Sequence, residues 1–129
     1  DCFLSQIQIN QNNIVRICLN KHSLSGSTSH NYREFGVLPV KFLYKKFAIL
    51  FTFKNFNKGL DGQDIVDKRK NRRCNIPVDY PYKSFGQSFV NYLGPVFFNS
   101  MPCQYKKNIQ LSENNAKKLV YNWLFSQII

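Results

Sequence analysis

Acidic residues are scarce in this 129-residue chain: 7 Asp and Glu stand against 18 Lys and Arg, giving a formal net charge of +11. No apolar run approaches the roughly 18–20 residues that a membrane span needs, so no membrane helix is expected. The start of the chain lacks a charged region followed by an apolar stretch and a small-residue cleavage site, so no signal peptide is expected either. The excess of positive charge favours a polyanionic partner, RNA or DNA, and the alternative is a basic chain whose charge serves solubility alone. No membrane partner is predicted.

Cysteine is sparse and scattered along the sequence. Cys2, Cys18, Cys74 and Cys103 form no Cys-x-x-Cys pair, and neither histidine completes a close-spaced zinc motif. We therefore expect free thiols in a reduced intracellular compartment, nuclear or cytoplasmic, with Cys18 in the core and Cys103 as a second core candidate. A four-ligand site built from distant residues is the alternative.

Arrangements typical of catalysis are missing as well. The chain has no Asp-Asp pair, no Gly-rich phosphate loop and no Ser-His-Asp arrangement. His22 and His30 flank a Ser- and Gly-rich stretch that predicts a loop, and nothing orients either ring as a base. Asp61, Asp64 and Asp67 recur every three residues, which is not the alternate spacing of a calcium loop. No catalytic residue, metal or cofactor is predicted.

Helical periodicity dominates what is present. One helix is predicted from about Phe3 to Asn20, a short second one ends at Gly36 as its C-cap, and a third runs from Pro39 to about Phe56. In the first helix one apolar stripe holds Leu4, Ile7, Ile14 and Cys18. A last helix begins after Ser112 as N-cap, and its apolar positions are Ala116, Leu119, Val120, Trp123 and Leu124. These patterns predict a mainly α fold, a small bundle of three to four helices in a single domain over residues 1–129.

The third helix is apolar on most of its sides. Lys41, Lys45 and Thr52 share one narrow stripe, and aliphatic and aromatic residues fill most of the rest. Such a helix is expected to be buried among others or to be covered by a neighbouring domain. We expect it to form the core of the chain.

Residues 57–83 predict a flexible basic connection, since they carry turn residues and the densest run of positive charge. Five charges fall within six residues: Lys68, Arg69, Lys70, Arg72 and Arg73. The run predicts a loop that contacts RNA or DNA phosphates. A solvated linker and a nuclear-import signal are the alternatives. Arg16, on the first helix, is a further candidate for a phosphate contact, its alternative being a solvated or salt-bridged position.

The most specific local pattern lies at residues 84–102. It combines Gly94-Pro95, the aromatic pair Phe97-Phe98 and an Asn-Ser-Met-Pro stop at 99–102. Before it, residues 84–92 are spaced for a short extended segment or a turn onto the core, and Gly94-Pro95 is expected to open a short helix. Core packing is the favoured role of the aromatic pair, and stacking on nucleic-acid bases is the alternative.

This pattern resembles the C-terminal region of non-LTR (LINE-like, jockey-type) retrotransposon reverse transcriptase polyproteins, downstream of the polymerase palm. The matching positions are Ser88, Phe89, Tyr92, Gly94, Pro95, Phe98, Asn99, Ser100 and Pro102. Phe98 stands where the family has Trp, and Met101 where it has Leu. Weaker matches, among them Arg16-Ile17 and residues 32–39, extend the resemblance from about Gln8 to Phe125.

The resemblance implies a thumb-adjacent, post-polymerase region that is itself non-catalytic and assists RNA or DNA binding. The parent would be an RNA-directed DNA polymerase, and the upstream polymerase domain of the same polyprotein would be a partner. Two alternatives stay open: an inactive structural remnant, and a standalone basic RNA-binding protein.

Overall fold

A mainly α fold is what the computed structural model shows, as the sequence predicts. It describes residues 2–22, 26–58, 75–76, 78, 86, 89–111 and 113–128, with backbone alone at 2–3, 56–58, 110–111 and 113–114. Helices account for 80% of these residues, and no strand occurs among them. Six helices are present in this part of the chain, more than the three to four predicted. They are α1 (Cys2–Cys18), α2 (Thr28–Phe35), α3 (Val40–Lys58), α4 (Val90–Ser100), α5 (Cys103–Leu111) and α6 (Glu113–Ser126).

The chain divides into two compact units. Unit 1 comprises Asp1–Tyr44 and Tyr121–Ile129, and unit 2 comprises Lys45–Val120. Both divisions fall inside a helix, α3 in one case and α6 in the other. That the chain is a single domain stays a prediction, and nearly all of the connection predicted at 57–83 lies outside the described residues.

Helix α2 ends as the sequence predicts and begins earlier. Gly36 has a φ of 74° and its N–H donates to the carbonyl of Tyr32, which is the left-handed cap that glycine adopts without steric cost. Ser27 caps the start by accepting a hydrogen bond from the N–H of His30. His30 is therefore helical, contrary to the predicted loop, because the capping serine starts the helix ahead of it. His22 lies in the connection before α2.

Helix α1 has about the predicted extent, but the face that it buries is turned by roughly 70° from the predicted stripe, with Gln11 common to both. Ile7 and Ile14 are 50% and 59% exposed, and Cys18 is exposed too. Cys103 is also exposed, so the prediction of core cysteines is wrong. The polar stripe of α1 faces inward instead, because its amides bind groups that no apolar side chain could satisfy. Only Val15 of α1 joins the buried apolar residues described for unit 1: Val15, Tyr32, Leu38, Trp123, Leu124 and Ile128.

In unit 2, α3 and α4 cross closely at Gly94. A β-carbon at Gly94 would overlap the hydroxyl oxygen of Thr52 and lie 3.0 Å from the carbonyl oxygen of Ala48. Thr52 is accordingly buried, so the predicted polar stripe of α3 is wrong at this residue. Polar Thr52 is accepted here because its small side chain permits the approach of α4. The buried apolar residues described for unit 2 are Ala48, Ile49, Phe53, Ile76, Phe98, Met101, Ile109, Ala116 and Val120.

Helix α4 begins before Gly94-Pro95 rather than at it. Its first residue is Val90, and Pro95 lies inside the helix. The prediction of a helix that opens at Gly94 is therefore wrong. Helix α4 accommodates Pro95 in its interior, although proline removes one backbone hydrogen bond there. Tyr92 is helical, so the predicted extended segment does not include it, and Phe85 lies outside the described residues.

The Asn-Ser-Met-Pro stop has a structural role at the end of α4. The side-chain amide of Asn99 accepts from the N–H of Ile76 and donates to its carbonyl, both at 2.8 Å. Lys106 is 2% exposed, and its ammonium donates at 2.7 Å to Asn75 Oδ1 and to the Asn99 carbonyl. Asn99 and Lys106 thereby join residues 75–76 to α4 and α5. These bonds are the partners that buried polar groups require.

Helix α6 follows the predicted pattern. Ala116, Val120, Trp123 and Leu124 are buried at the expected helical spacing. The capping residue Ser112 lies outside the described residues. In unit 1, the Tyr121 hydroxyl near the end of α6 donates to the Gly36 carbonyl at 2.7 Å. None of the described helices combines the length and apolar character that crossing a membrane requires.

Replacing Gly94 with alanine tests the close crossing of α3 and α4. Gly94→Ala is expected to lower the free energy of unfolding by about 1–2 kcal/mol, since overpacking outweighs the helix propensity of alanine. In a Thr52→Ala background the destabilisation is expected to shrink, because the overlapping hydroxyl is gone. Urea unfolding of the two single variants and the double variant measures this coupling.

Gly36→Ala serves as the control, because its positive φ strains alanine without any neighbouring atom within 4 Å. Its destabilising effect is expected to be the same in the wild-type and Thr52→Ala backgrounds. An unchanged effect of Gly94→Ala in the Thr52→Ala background would contradict the predicted crossing.

Candidate nucleic-acid interface

The predicted phosphate-contacting residues fall into two groups. Lys68, Arg69, Lys70, Arg72 and Arg73 lie outside the described residues. Arg16 lies on α1 in unit 1 and is half-buried. The run at 68–73 therefore stays a prediction from sequence, and only Arg16 is placed.

The positive charge of Arg16 acts on the buried phenol of Tyr32. Arg16 Nε is enclosed without a hydrogen-bond partner, and the charge lowers the pKa of Tyr32. No ion pair joins Arg16 to a carboxylate in the described part of the chain. The predicted alternative of a salt-bridged position therefore gains no support. Its guanidinium is a cation beside a polar cluster, where a phosphate would find charge-assisted hydrogen bonding.

That cluster consists of the inward stripe of α1 and Tyr32. Gln8 Nε2 donates to the Tyr32 hydroxyl at 2.7 Å, and the hydroxyl donates to Asn12 Oδ1 at 2.6 Å. Gln11 donates to the Leu38 carbonyl at 2.9 Å and accepts from the Val40 N–H at 2.8 Å. The stripe thus holds α2 and the start of α3 against α1 by side-chain amides.

Burial dominates the titration of Tyr32. It raises the pKa of the phenol above 10.0, while the Gln8 hydrogen bond and the Arg16 charge oppose it. The neutral phenol is therefore the form that the fold requires. Sequence reasoning missed this cluster, although Gln8, Gln11, Asn12 and Val15 recur at i, i+3, i+4 and i+7.

Negative charge is almost absent from the described side chains. Glu34 is the one carboxylate among them, and it is bonded to Lys21, with the His30 ring 3.5 Å away. The hydrogen bond from Lys21 lowers the pKa of Glu34, so the carboxylate stays ionised. Its charge is thereby matched within unit 1, and lysines and arginines far outnumber it among the described side chains. The exposed ones are Arg33, Lys41, Lys54, Lys107, Lys117 and Lys118.

The aromatic pair at the end of α4 is placed by packing. Phe98 is 1% exposed, which confirms the predicted core role. Phe97 is half-buried, and the Lys45 ammonium lies 5.6 Å from the centre of its ring. Phe98 therefore offers no open face for the alternative of base stacking, and for Phe97 that alternative stays a prediction.

Open aromatic faces occur on α3 instead. Phe47 is 66% and Phe51 is 47% exposed, and the exposed Lys54 follows one turn later. Of the two alternatives predicted for α3, burial among other helices is wrong for this face, because α4 takes the face of Ala48 and Thr52. Cover by a neighbouring domain stays a prediction.

Comparisons with known proteins add no relative. No protein-family model, curated protein or solved structure matches the chain. The resemblance to retrotransposon polyproteins therefore rests on the residues named in the sequence analysis. The function has to be argued from charge and geometry.

Removing the Tyr32 hydroxyl tests the polar cluster of unit 1. Tyr32→Phe leaves Gln8 and Asn12 without their shared partner, so the free energy of unfolding is expected to fall by about 1–3 kcal/mol. Because the folded-state pKa is raised, the wild-type contribution is complete below pH 10.0 and is lost as pH rises through the raised value. The difference between the two proteins should therefore narrow at alkaline pH.

Urea unfolding near neutral pH and above the ordinary tyrosine pKa measures both effects. Tyr121→Phe is a control that removes one hydroxyl from the partly exposed side chain of Tyr121. An equal Tyr32→Phe deficit at both pH values would show that the phenol is not held neutral by the fold.

Proposed function

We propose that this chain is a non-catalytic nucleic-acid-binding region of a mobile-element RNA-directed DNA polymerase, which helps to hold template RNA or target DNA. The observation that carries the proposal is the excess of positive charge, 18 Lys and Arg against 7 Asp and Glu. Among the described side chains, Glu34 is engaged by Lys21, and six further lysines and arginines are exposed. Phosphates are the anions that such a surface attracts, with an affinity that depends on salt.

The residues that carry the family resemblance support the assignment in a second way. Gly94 permits the crossing of α3 and α4, Phe98 is buried, and Asn99 binds Ile76. Each of these residues has a packing or hydrogen-bonding role in the described fold. A shared order of such residues is what a shared fold would preserve, and the described part of the motif contributes no catalytic group.

An upstream polymerase domain of the same polyprotein is the proposed protein partner. The outward face of α1 exposes Ile7, Ile14 and Ile17, the last at 76%. Apolar side chains grouped in this way commonly mark an interface.

The proposed location is intracellular, in the nucleus or the cytoplasm. Cys18 is a free and exposed thiol, as thiols in a reducing compartment can be. An inactive structural remnant would share this fold without binding nucleic acid. A standalone basic RNA-binding protein would bind but would have no polymerase partner.

Arginine substitutions in the basic run test the nucleic-acid function. Arg69→Ala/Arg72→Ala/Arg73→Ala is expected to weaken RNA binding and to reduce the slope of log affinity against log salt by about 0.7 for each phosphate that is no longer bound. Fluorescence anisotropy with labelled RNA and DNA at several salt concentrations measures both quantities.

The charge-matched control is Lys107→Ala/Lys117→Ala/Lys118→Ala, which removes three exposed cations from α5 and α6. It is expected to have the smaller effect. Equal reductions in affinity would indicate binding through general charge alone and would exclude a specific role of the basic run. No binding by the wild-type chain at low salt would favour the inactive remnant.

The polymerase origin has a separate test in the transcript. Sequencing across the codon for Asp1 is expected to show an open frame that continues upstream into a polymerase with a Phe/Tyr-x-Asp-Asp turn. An unrelated exon there would contradict the polyprotein assignment and favour a standalone RNA-binding protein.

A further inference from the structure

The exposed aromatic face of α3 gives the proposed function a specific contact site. We propose that Phe47 and Phe51 stack on two bases of a single-stranded nucleic acid while Lys54 binds its phosphates. The inference rests on the proposed function, since it names where and how unpaired bases are held. It concerns residues of unit 2 alone.

Geometry places the three side chains in one row. Phe51 follows Phe47 by four residues and Lys54 follows Phe51 by three, the spacings that bring helix side chains onto one face. Phe47 and Phe51 are 66% and 47% exposed, and Lys54 is exposed as well. Both rings therefore have surface available for a flat partner.

The separation of the rings favours single strands. Four residues of helix advance about 6 Å, longer than the roughly 3.4 Å between neighbouring bases along a duplex strand. Bases stacked on both rings would have to be separated from each other. An extended single strand permits this, whereas a base-paired duplex resists it.

Charge complementarity selects nucleic acid over an apolar protein surface. Helix α3 carries lysines and no acidic residue along Val40–Lys58. The basic run at 68–73 follows it in the chain. Aromatic rings interleaved with cations are the combination by which single-strand-binding proteins hold bases and backbone together without reading sequence.

Alanine substitutions distinguish stacking from charge. Phe47→Ala/Phe51→Ala in the full chain is expected to weaken binding of a labelled single-stranded RNA at least about 10-fold, from the stacking energy of two bases. The salt slope should not change, because no charge is removed. Lys54→Ala should instead reduce the slope by about 0.7.

Conservative replacement is expected to preserve the site. Phe47→Trp/Phe51→Trp should retain wild-type affinity, and its added indole fluorescence should be quenched by single-stranded RNA. Phe35→Ala is the matched control, since Phe35 is 42% exposed on α2, and it should bind like wild type. The melting temperature of the Phe47→Ala/Phe51→Ala variant should stay within about 3 °C of wild type, as for surface residues.

The outcomes separate this inference from the proposed function. Wild-type affinity in Phe47→Ala/Phe51→Ala overturns the stacking site alone, as does an equal reduction for single-stranded and duplex RNA. A large drop in melting temperature also overturns it, because the rings would then belong to the core. If wild type binds no RNA or DNA but binds phosphatidylserine vesicles through these rings, both proposals fail in favour of a lipid surface.

Discussion

The close crossing at Gly94 determines which side of α3 is inside. Helices approach this closely only where one presents a hydrogen and the other a small side chain, here Thr52 beside Ala48. Phe47 and Phe51 each precede one of these residues by a single position, so they are turned about 100° away around the axis. The rings are outside because α4 occupies the neighbouring face. One glycine thus governs both the packing of unit 2 and the surface that it offers.

In unit 1, hydrogen bonds of polar side chains join α1 to α2 and to the start of α3. On α1, Gln8, Gln11 and Asn12 bond to a phenol and to backbone groups, while the isoleucines remain in solvent. Hydrogen bonds of this kind contribute modestly when made, but a buried group left without one is costly. Such a face specifies its partner more narrowly than an apolar one, because each amide must find a complementary group.

The sequence predicted those features of the fold that residues close together in the chain determine. The cap at Gly36 and the apolar spacing of Ala116, Val120 and Leu124 determine where α2 ends and how α6 packs. The inward faces of α1 and α3 were not predictable in this way, because distant partners choose them: Leu38 for Gln11, and Gly94 for Thr52. The basic run was visible from composition. The aromatic face of α3 became visible only once the position of α4 was known.

Asn99 and Ile76 are hydrogen-bonded to each other, yet they differ in how many amino acids each position can accept. Both bonds of the Asn99 side chain go to the main chain of Ile76, which any residue other than proline could supply. Position 76 can therefore drift among side chains that fit its buried volume. Position 99 needs an acceptor oxygen and a donor nitrogen as separate atoms on the same short side chain, which among the common amino acids only asparagine provides. Descendants of this sequence should consequently vary at position 76 long before they vary at position 99.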